Sequence, residues 1–387
     1  MIYLDNAATT KISPEVLNSM MPYLTEDYGN AGTMHSLGRK AAEAISEARS
    51  QVARFINAKP EQIIFTSGGS EANSLVFSGL APYLINENRK HVITTKAEHD
   101  SVLKAARNLC IKHQFGATIL DVNKNATVDL DVLKSSVRQS TGLVSVMHTN
   151  NEVGSINPIS SIGELCRQKG VFFHTDCVQA AGSSNIDSEL IGCDFMSLSS
   201  HKIHGPKGVG ALFAKDISIL SPMIFGGGSQ EWGVRGGTEN VAGIVGFGKA
   251  CELANRDIET STRIITNLSC GFKETLVRRL SYYGINNILK QNGSFGGKIL
   301  NLRFDGIDGQ TLLLLLDAKG VCVSAGSACR SYESEPSHVL IAMGYSDSEA
   351  RSSIRVSFST DQSYEEAVKA AEILADCVAS LREFRGV

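Results

Sequence analysis

The sequence SSHKIHGPKG at positions 199–208 places a lysine, Lys202, between two histidines, His201 and His204. It follows an apolar run at 195–198 and leads into a turn rich in glycine and proline. We therefore expect Lys202 at the end of a strand, where its amine can hold a carbonyl cofactor as a Schiff base. Taken alone, the stretch fits a surface lysine in a basic loop equally well. Other segments of the sequence are needed to choose between these two interpretations.

Short apolar runs alternate with helical patterns over the first two-thirds of the chain, which predicts βαβ units and a mainly parallel sheet. A long polar-faced helix near 251–263 would lead to a second, α+β region. Strands are predicted at 63–66, 91–95, 117–122, 143–148, 171–174, 195–198 and 210–214, and in the second region at 299–304, 321–324 and 354–358.

The composition excludes several classes of protein. The chain has 387 residues, of which 42% are hydrophobic and 20% charged, and its formal net charge is −3. This ordinary globular balance lacks the basic footprint of direct nucleic-acid binding. The N-terminus lacks the charged and apolar regions of a signal peptide, and the longest conspicuous apolar run, at 312–316, is too short to span a membrane. We expect a cytoplasmic protein.

Two glycine-rich segments suit close approach by a ligand. TSGGSEAN at 66–73 follows a predicted strand and opens a predicted helix, so its free N–H groups and hydroxyls suit a phosphate. An ordinary strand-to-helix turn with a capping residue fits this segment as well. GGGSQEWGVRGGT at 226–238 has a bare backbone that a ligand or another subunit can approach.

Three polar segments follow predicted strands. In HTDCVQ at 174–179, Asp176 suits a protonated pyridine nitrogen and Gln179 a ring hydroxyl, although an N-cap aspartate is the ordinary alternative. In EHD at 98–100, His99 suits stacking on a planar cofactor and proton transfer, or else a structural cap. In NNE at 150–152, an asparagine can orient a cofactor oxygen or a substrate carboxylate, or form a turn.

One cysteine differs from the other eight. The nine cysteines are an odd number without a C-x-x-C pair, so neither a disulfide framework nor a zinc site is predicted. Most lie in apolar patterns that are typical of buried structural thiols. Cys329 lies instead in VSAGSACRSYESEPSH at 323–338, a polar loop rich in serine, glycine and alanine, which favours a reactive thiol.

Together these segments resemble the cysteine desulfurases of the NifS/IscS type, which are fold-type I enzymes that use pyridoxal 5′-phosphate (PLP). The match runs nearly end to end and includes YLDNAATT at 3–10, the region at 28–35, the lysine turn and the Cys329 loop. Trp232 departs from the pattern because the family usually has arginine there. Ala-Gly-Thr at 31–33 replaces the common Pro-Ser-Ser.

The resemblance implies an α/β fold of two domains. A large PLP-binding domain at 15–255 would hold the mainly parallel sheet between helices. A smaller α+β domain, formed by 1–14 and 256–387, would carry the cysteine loop.

The resemblance also implies how the chain binds PLP. Lys202 would form the Schiff base, and Thr238 would reach the phosphate of the neighbouring subunit, which implies a homodimer with shared sites. The contacts with the phosphate of the same subunit are assigned to Gly69, Ser70, Ser199, Ser200 and His201.

The ring and the substrate are assigned to other residues. His99 would stack on the PLP ring and move protons, Asp176 would pair with the ring nitrogen, and Gln179 would meet the 3′-oxygen. Asn151 and Arg355 would orient the substrate carboxylate, with Asn151 also beside the cofactor.

Cys329 would accept the sulfur. The implied reaction converts L-cysteine to L-alanine and leaves a persulfide on Cys329, which passes sulfur to a partner or scaffold protein. Iron–sulfur cluster assembly, tRNA thiolation and DNA phosphorothioation are the destinations considered. The spacing from Cys329 to Pro336 resembles the long-loop subgroup, and no resident metal is expected, although the Cys329 thiolate can transiently ligate an iron–sulfur cluster.

Two other interpretations stay open at the level of the sequence. A selenocysteine lyase or another aminotransferase-like PLP enzyme would share the same cofactor site, although a transaminase has no need for Cys329 in a loop. A non-catalytic scaffold for sulfur transfer would have lost the lysine or the aspartate, and both Lys202 and Asp176 are intact.

Overall fold

The computed structural model describes residues 1–228, 230–280, 284–285, 297–326 and 335–385. The strands, in chain order, are β1 (Ile2–Tyr3), β2 (Ile63–Thr66), β3 (His91–Thr95), β4 (Gly116–Leu120), β5 (Thr141–Ser145), β6 (Phe172–Asp176), β7 (Phe195–Ser199), β8 (Gly210–Ala214), β9 (Gly284–Ile285), β10 (Ile299–Arg303), β11 (Val321–Cys322) and β12 (Ser353–Ser357). The helices are α1 (Pro14–Thr25), α2 (Ser36–Phe55), α3 (Gly69–Asn86), α4 (Asp100–His113), α5 (Leu130–Ser136), α6 (Ile159–Lys169), α7 (Ser188–Ile191), α8 (Val241–Arg279), α9 (Gly309–Ala318), α10 (His338–Ala342), α11 (Asp347–Arg351) and α12 (Tyr364–Arg385).

A seven-stranded sheet forms the centre of the larger part of the molecule. Its strand order is β2-β8-β7-β6-β5-β3-β4, and every pairing from β7 through β4 is parallel. Only β8 runs against its two neighbours. The prediction of an α/β fold with a mainly parallel sheet is therefore confirmed. The two strands that flank the lysine turn, β7 and β8, pair with each other.

Helices cover both faces of this sheet, which explains why its strands are continuous apolar runs. Successive side chains of β2 show the arrangement, because Ile63 and Phe65 pack into one core cluster and Ile64 packs into the other. The first cluster includes Val52 of α2, and the second includes Leu75 of α3.

A smaller sheet lies in the second half of the chain. It has the antiparallel order β12-β10-β9, and β1 pairs in parallel with β11 nearby. The predicted long helix is part of α8, whose Phe247 packs in the core of the large sheet and whose Phe272 packs in the core beside the small sheet. Among the described residues, no helix has the length and apolarity needed to cross a bilayer.

The strand predicted at 143–148 is shorter than expected. It is β5, which ends at Ser145, although the amides of Val146 and His148 still donate to carbonyls of His174 and Asp176. The chain then turns, which places Asn151 at the carboxyl edge of the sheet.

Candidate active site

A cavity of about 180 Å³ lies at the carboxyl edge of the seven-stranded sheet. In parallel α/β sheets this edge collects the residues that follow each strand, and ligands bind there. Ten of the predicted site residues line the cavity: Gly69, Ser70, His99, Asn151, Asp176, Gln179, Ser199, His201, Lys202 and Arg355.

Lys202 ends a short 3₁₀ turn that directly follows β7. Its Nζ donates hydrogen bonds to the backbone carbonyls of Ala7 and Ala8, at 2.6 and 2.7 Å. The neighbouring His201 ring contacts the Thr9 hydroxyl at 3.1 Å. Burial, followed by the positive charges of Lys202 and of Lys207, lowers the pKa of His201 to about 4, so its ring is neutral at pH 7.

The start of α3 forms a cradle for an anion. Gly68 has a φ of +153°, a conformation that favours glycine. A Cβ on Gly69 would lie 2.6 Å from Cγ2 of Val178, so this position has no room for a side chain. The first N–H groups of a helix lack intrahelical partners, and here Ser70 adds a hydroxyl beside them.

Asp176 ends β6 and is held by two donors. Its Oδ1 accepts from the amide of Val178 at 2.9 Å, and its Oδ2 accepts from Nδ2 of Asn73 at 2.8 Å. The same Nδ2 donates to Oγ of Ser101 at 2.8 Å. Asn73 therefore fixes the carboxylate and links it to the start of α4.

His99 is the N-cap of α4, as its capping alternative predicted, and it also lines the cavity. The amide of Ser101 donates to its Nδ1 at 3.1 Å, and the Ser101 hydroxyl lies 2.7 Å from the same nitrogen. Because an amide can only donate, Nδ1 is the acceptor and the neutral ring carries its proton on Nε2. The cap therefore sets the tautomer of this histidine.

Arg355 enters the cavity from β12. The residue is 1% exposed, and its guanidinium donates to Oδ1 of Asp5 at 2.8 Å and to the carbonyl of Asn151 at 2.9 Å. Its Nε has no partner among the described residues. The ion pair orients the guanidinium, and a donor remains for an incoming carboxylate.

Glu98 directly precedes His99 in the chain and is fully buried. Its carboxyl accepts from the amide of Met147 at 2.9 Å and from the Thr95 hydroxyl at 3.0 Å. Burial raises the pKa of Glu98 to about 8, and the negative charge of Asp176 acts in the same direction. At pH 7 this side chain is mainly a neutral acid.

The other predicted residues lie elsewhere. Ser200 is buried but does not line the cavity, and a Cβ on Gly205 would meet its Oγ. Thr238 is exposed and lies outside the cavity, shortly before α8. Trp232 is also outside it, and its Nε1 donates to the carbonyl of Ile63 at 3.2 Å. Cys329 lies outside the described residues.

Sequence reasoning missed two parts of this site. Asn73 occupies a helix interior, where asparagine is unfavourable, one turn after Gly69; that combination is a signal for a functional side chain. The carbonyls of Ala7 and Ala8 carry no such signal because any residue supplies a carbonyl.

Comparison with known proteins gives the family. The model of the aminotransferase class-V family matches residues 2–369. The chain belongs to this family. Among its curated relatives, cysteine desulfurase IscS of Clostridium botulinum (strain Hall) is 40% identical over 382 residues, which cover 99% of this chain and 95% of the relative.

Solved structures of the family share the fold. A NifS-like protein superimposes with a TM-score of 0.90 at 31% identity, covering 98% of this chain and 99% of that one. SspA in complex with cysteine superimposes with a TM-score of 0.81 at 33% identity, covering 93% and 99% of the two chains.

Proposed function

We propose that this chain is a PLP-dependent cysteine desulfurase that converts L-cysteine to L-alanine and receives the sulfur on Cys329. The observation that carries the proposal is one cavity that is lined by the Lys202 amine, the Asp176 carboxylate and the N-terminus of α3, and also by Arg355. The relatives named cysteine desulfurase and the cysteine complex of SspA support cysteine as the substrate.

The residues of the cavity fit PLP. The glycine cradle at the start of α3 suits the phosphate, and Asp176 suits the ring nitrogen. Gln179 donates to the carbonyl of Ala7 at 2.8 Å, while its Oε1 and the Oδ1 of Asn73 are buried without a partner among the described residues. Such orphaned polar atoms on a cavity wall are expected where a polar ligand binds.

PLP, when bound, supplies an electron sink that stabilises negative charge at the α-carbon of an amino acid. Lys202 would hold the cofactor through its amine, and that amine, once the amino group of the substrate has displaced it, would take the α-proton of the substrate. Asp176 keeps the ring nitrogen protonated. His99 exchanges protons through Nε2, and Arg355 orients the substrate carboxylate.

The sulfur transfer balances without an external oxidant or reductant. The thiolate of Cys329 attacks the sulfur of the substrate, the Cβ–S bond breaks and an S–S bond forms. Cysteine and the Cys329 thiol thereby yield alanine and a Cys329 persulfide, with every hydrogen accounted for. The β-carbon of the substrate is reduced by two electrons, and each of the two sulfur atoms is oxidised by one electron.

The proposal extends to partners and location. The persulfide passes to an acceptor or scaffold protein, Thr238 completes the phosphate site of a second subunit in a homodimer, and the enzyme works in the cytoplasm.

The test is the variant Cys329→Ala in the holoenzyme supplied with L-cysteine and a reductant. We expect the visible absorbance of the bound cofactor to persist while the formation of sulfide, alanine and protein persulfide is lost. Cys322→Ala is the matched control, since Cys322 is a partly buried thiol on β11, and it should keep full turnover.

Two outcomes would contradict the proposal. Sustained turnover by Cys329→Ala would remove Cys329 from the reaction. A wild-type holoenzyme that binds the cofactor but forms no alanine and sulfide from cysteine would reject the activity itself.

A further inference from the structure

A second cavity, of about 360 Å³, lies behind the lysine turn. Lys202 and His204 of the turn form one wall, the middle of α8 forms another, and Lys298 and Asp361 lie at the ends of the small sheet. His204 is the second histidine of the lysine motif, and the proposed reaction gives it no role.

Lys298 brings to this cavity a positive charge that has no acidic partner within 4 Å among the described residues. Its Nζ donates to the backbone carbonyl of Lys202 at 3.3 Å, which is its only hydrogen bond within the described part of the chain. Burial alone lowers the pKa of Lys298 to about 8, and no carboxylate offsets that effect. The amine is therefore still charged at pH 7, and a partly buried charge is costly unless it is paired.

His204 is neutral and holds the cavity wall together. Its Nδ1 lies 3.0 Å from the carbonyl of Lys11, which can only accept, so Nδ1 carries the proton. Its Nε2 therefore accepts from the hydroxyl of Ser359 at 3.1 Å. Burial lowers the pKa of His204; the charge of Asp361 opposes this shift, whereas that of Lys298 reinforces it.

Asp361 is an acid of the same cavity whose negative charge is only weakly offset by its neighbours. Its Oδ2 lies 3.5 Å from Nδ1 of the neutral His204, and its side chain is 47% exposed. The other two acids in the walls, Asp257 and Glu15, share Arg256 at 2.8 and 3.6 Å. Lys202 also lines this cavity, but its amine serves the catalytic cavity. Among the other wall groups that the structure describes, one cation, Lys298, and one anion, Asp361, thus remain without a full ion pair.

We propose that this cavity binds a small amino acid as a zwitterion, with its carboxylate on Lys298 and its ammonium on Asp361. Such a ligand satisfies both groups and leaves the net charge of the cavity unchanged, which neither a simple anion nor a simple cation does. The site is separate from the catalytic cavity, although both share the turn that carries Lys202.

The probe is glycine, which has no sulfur to transfer, titrated calorimetrically into the holoenzyme while the visible spectrum of the cofactor is followed. A spectral change reports binding in the catalytic cavity, so the second site is the binding event without one. We expect Lys298→Met to weaken this spectrally silent binding at least about tenfold, as for the loss of a charge-assisted hydrogen bond.

The controls separate a zwitterion site from a simple anion site. Lys319→Met removes an exposed lysine from the end of α9 and should leave glycine binding unchanged. Asp361→Asn should weaken glycine but not acetate, and because Asp361 is half-exposed this variant tests the idea even where Lys298→Met does not fold.

Three results would overturn the proposal. They are the absence of silent glycine binding in the wild type, equal glycine affinity in the wild type and Lys298→Met, and acetate binding as tightly as glycine. None of these bears on desulfurase activity, which is measured separately in the same preparation.

Discussion

The two walls of the catalytic cavity are built in different ways. On one wall, Asp176 is the last residue of β6 and Lys202 ends the short 3₁₀ turn that follows β7, so neighbouring strands of one buried sheet position them. On the other wall, Arg355 of β12 depends on Asp5 near the N-terminus, 350 residues away. The groups suited to hold a cofactor and the group suited to hold a substrate are therefore positioned by different parts of the fold. Substitutions can perturb the two separately.

Lys202→Ala should give the largest effect because it removes the group that both holds the cofactor and moves the proton. We expect the visible absorbance of the bound cofactor to be lost and turnover to fall by at least about 10²- to 10⁴-fold. The measurements are the absorption spectrum after reconstitution with PLP and the rate of alanine formation.

Lys207→Ala is the matched control for this variant, since Lys207 is an exposed lysine of the same turn. It should keep the spectrum and the rate. An unchanged visible spectrum in Lys202→Ala would reject the assignment of the lysine.

Asp5→Asn should give an intermediate effect on the opposite wall. Loss of the carboxylate weakens the bond that orients Arg355, so KM for cysteine should rise about tenfold with a smaller change in kcat. The cofactor spectrum should not change, because the Asp5 carboxylate pairs with Arg355, and the backbone carbonyl of Asp5 that accepts from Ala8 beside Lys202 is kept in this variant. Steady-state kinetics with cysteine, alongside the spectrum, measure this split.

Asp305→Asn serves as the control for Asp5→Asn. Asp305 pairs at 2.8 Å with Arg303, which lies on β10, the strand next to β12. Neither residue lines the catalytic cavity. KM should stay at the wild-type value in this variant. If Asp5→Asn left KM unchanged or lost the cofactor instead, the separation of the two walls would be wrong.

Glu98→Gln should have the smallest effect on turnover, because its expected effect is confined to the dependence of stability on pH. Folded wild type holds a proton on Glu98 up to about pH 8, whereas the unfolded chain releases it near the ordinary pKa of 4.5. Wild-type stability therefore falls as the pH rises through this window, by up to about 1.4 kcal/mol per pH unit, and the glutamine variant lacks this loss.

Thermal unfolding of both proteins near pH 5 and pH 8 tests this prediction. The thermal stability of Glu98→Gln should increase relative to that of the wild type as the pH rises. Glu87→Gln, a control at an exposed position, should show the same pH dependence as the wild type. Parallel curves for Glu98→Gln and the wild type would mean that Glu98 is ionised in the fold.

Much of the sheet could be predicted because its strands are short apolar runs bounded by glycine and polar residues. The bounds of β2, β3 and β8 agree with the predicted strands at 63–66, 91–95 and 210–214. The strand at 143–148 was predicted to end too late because Val146 and Met147, which follow the end of β5, are also buried, and an apolar pattern alone does not mark where a strand ends.

The sequence by itself predicted which residues would form the proposed cofactor wall, because each lies at the carboxyl end of a strand or within a few residues of it, and parallel strands deliver these ends to one edge. Only the tertiary structure showed that Asn73 joins Asp176 to Ser101, that Asp5 orients Arg355, and that Lys298 lies behind Lys202. These contacts join residues far apart in the chain, and neither periodicity nor local spacing carries the distance between them.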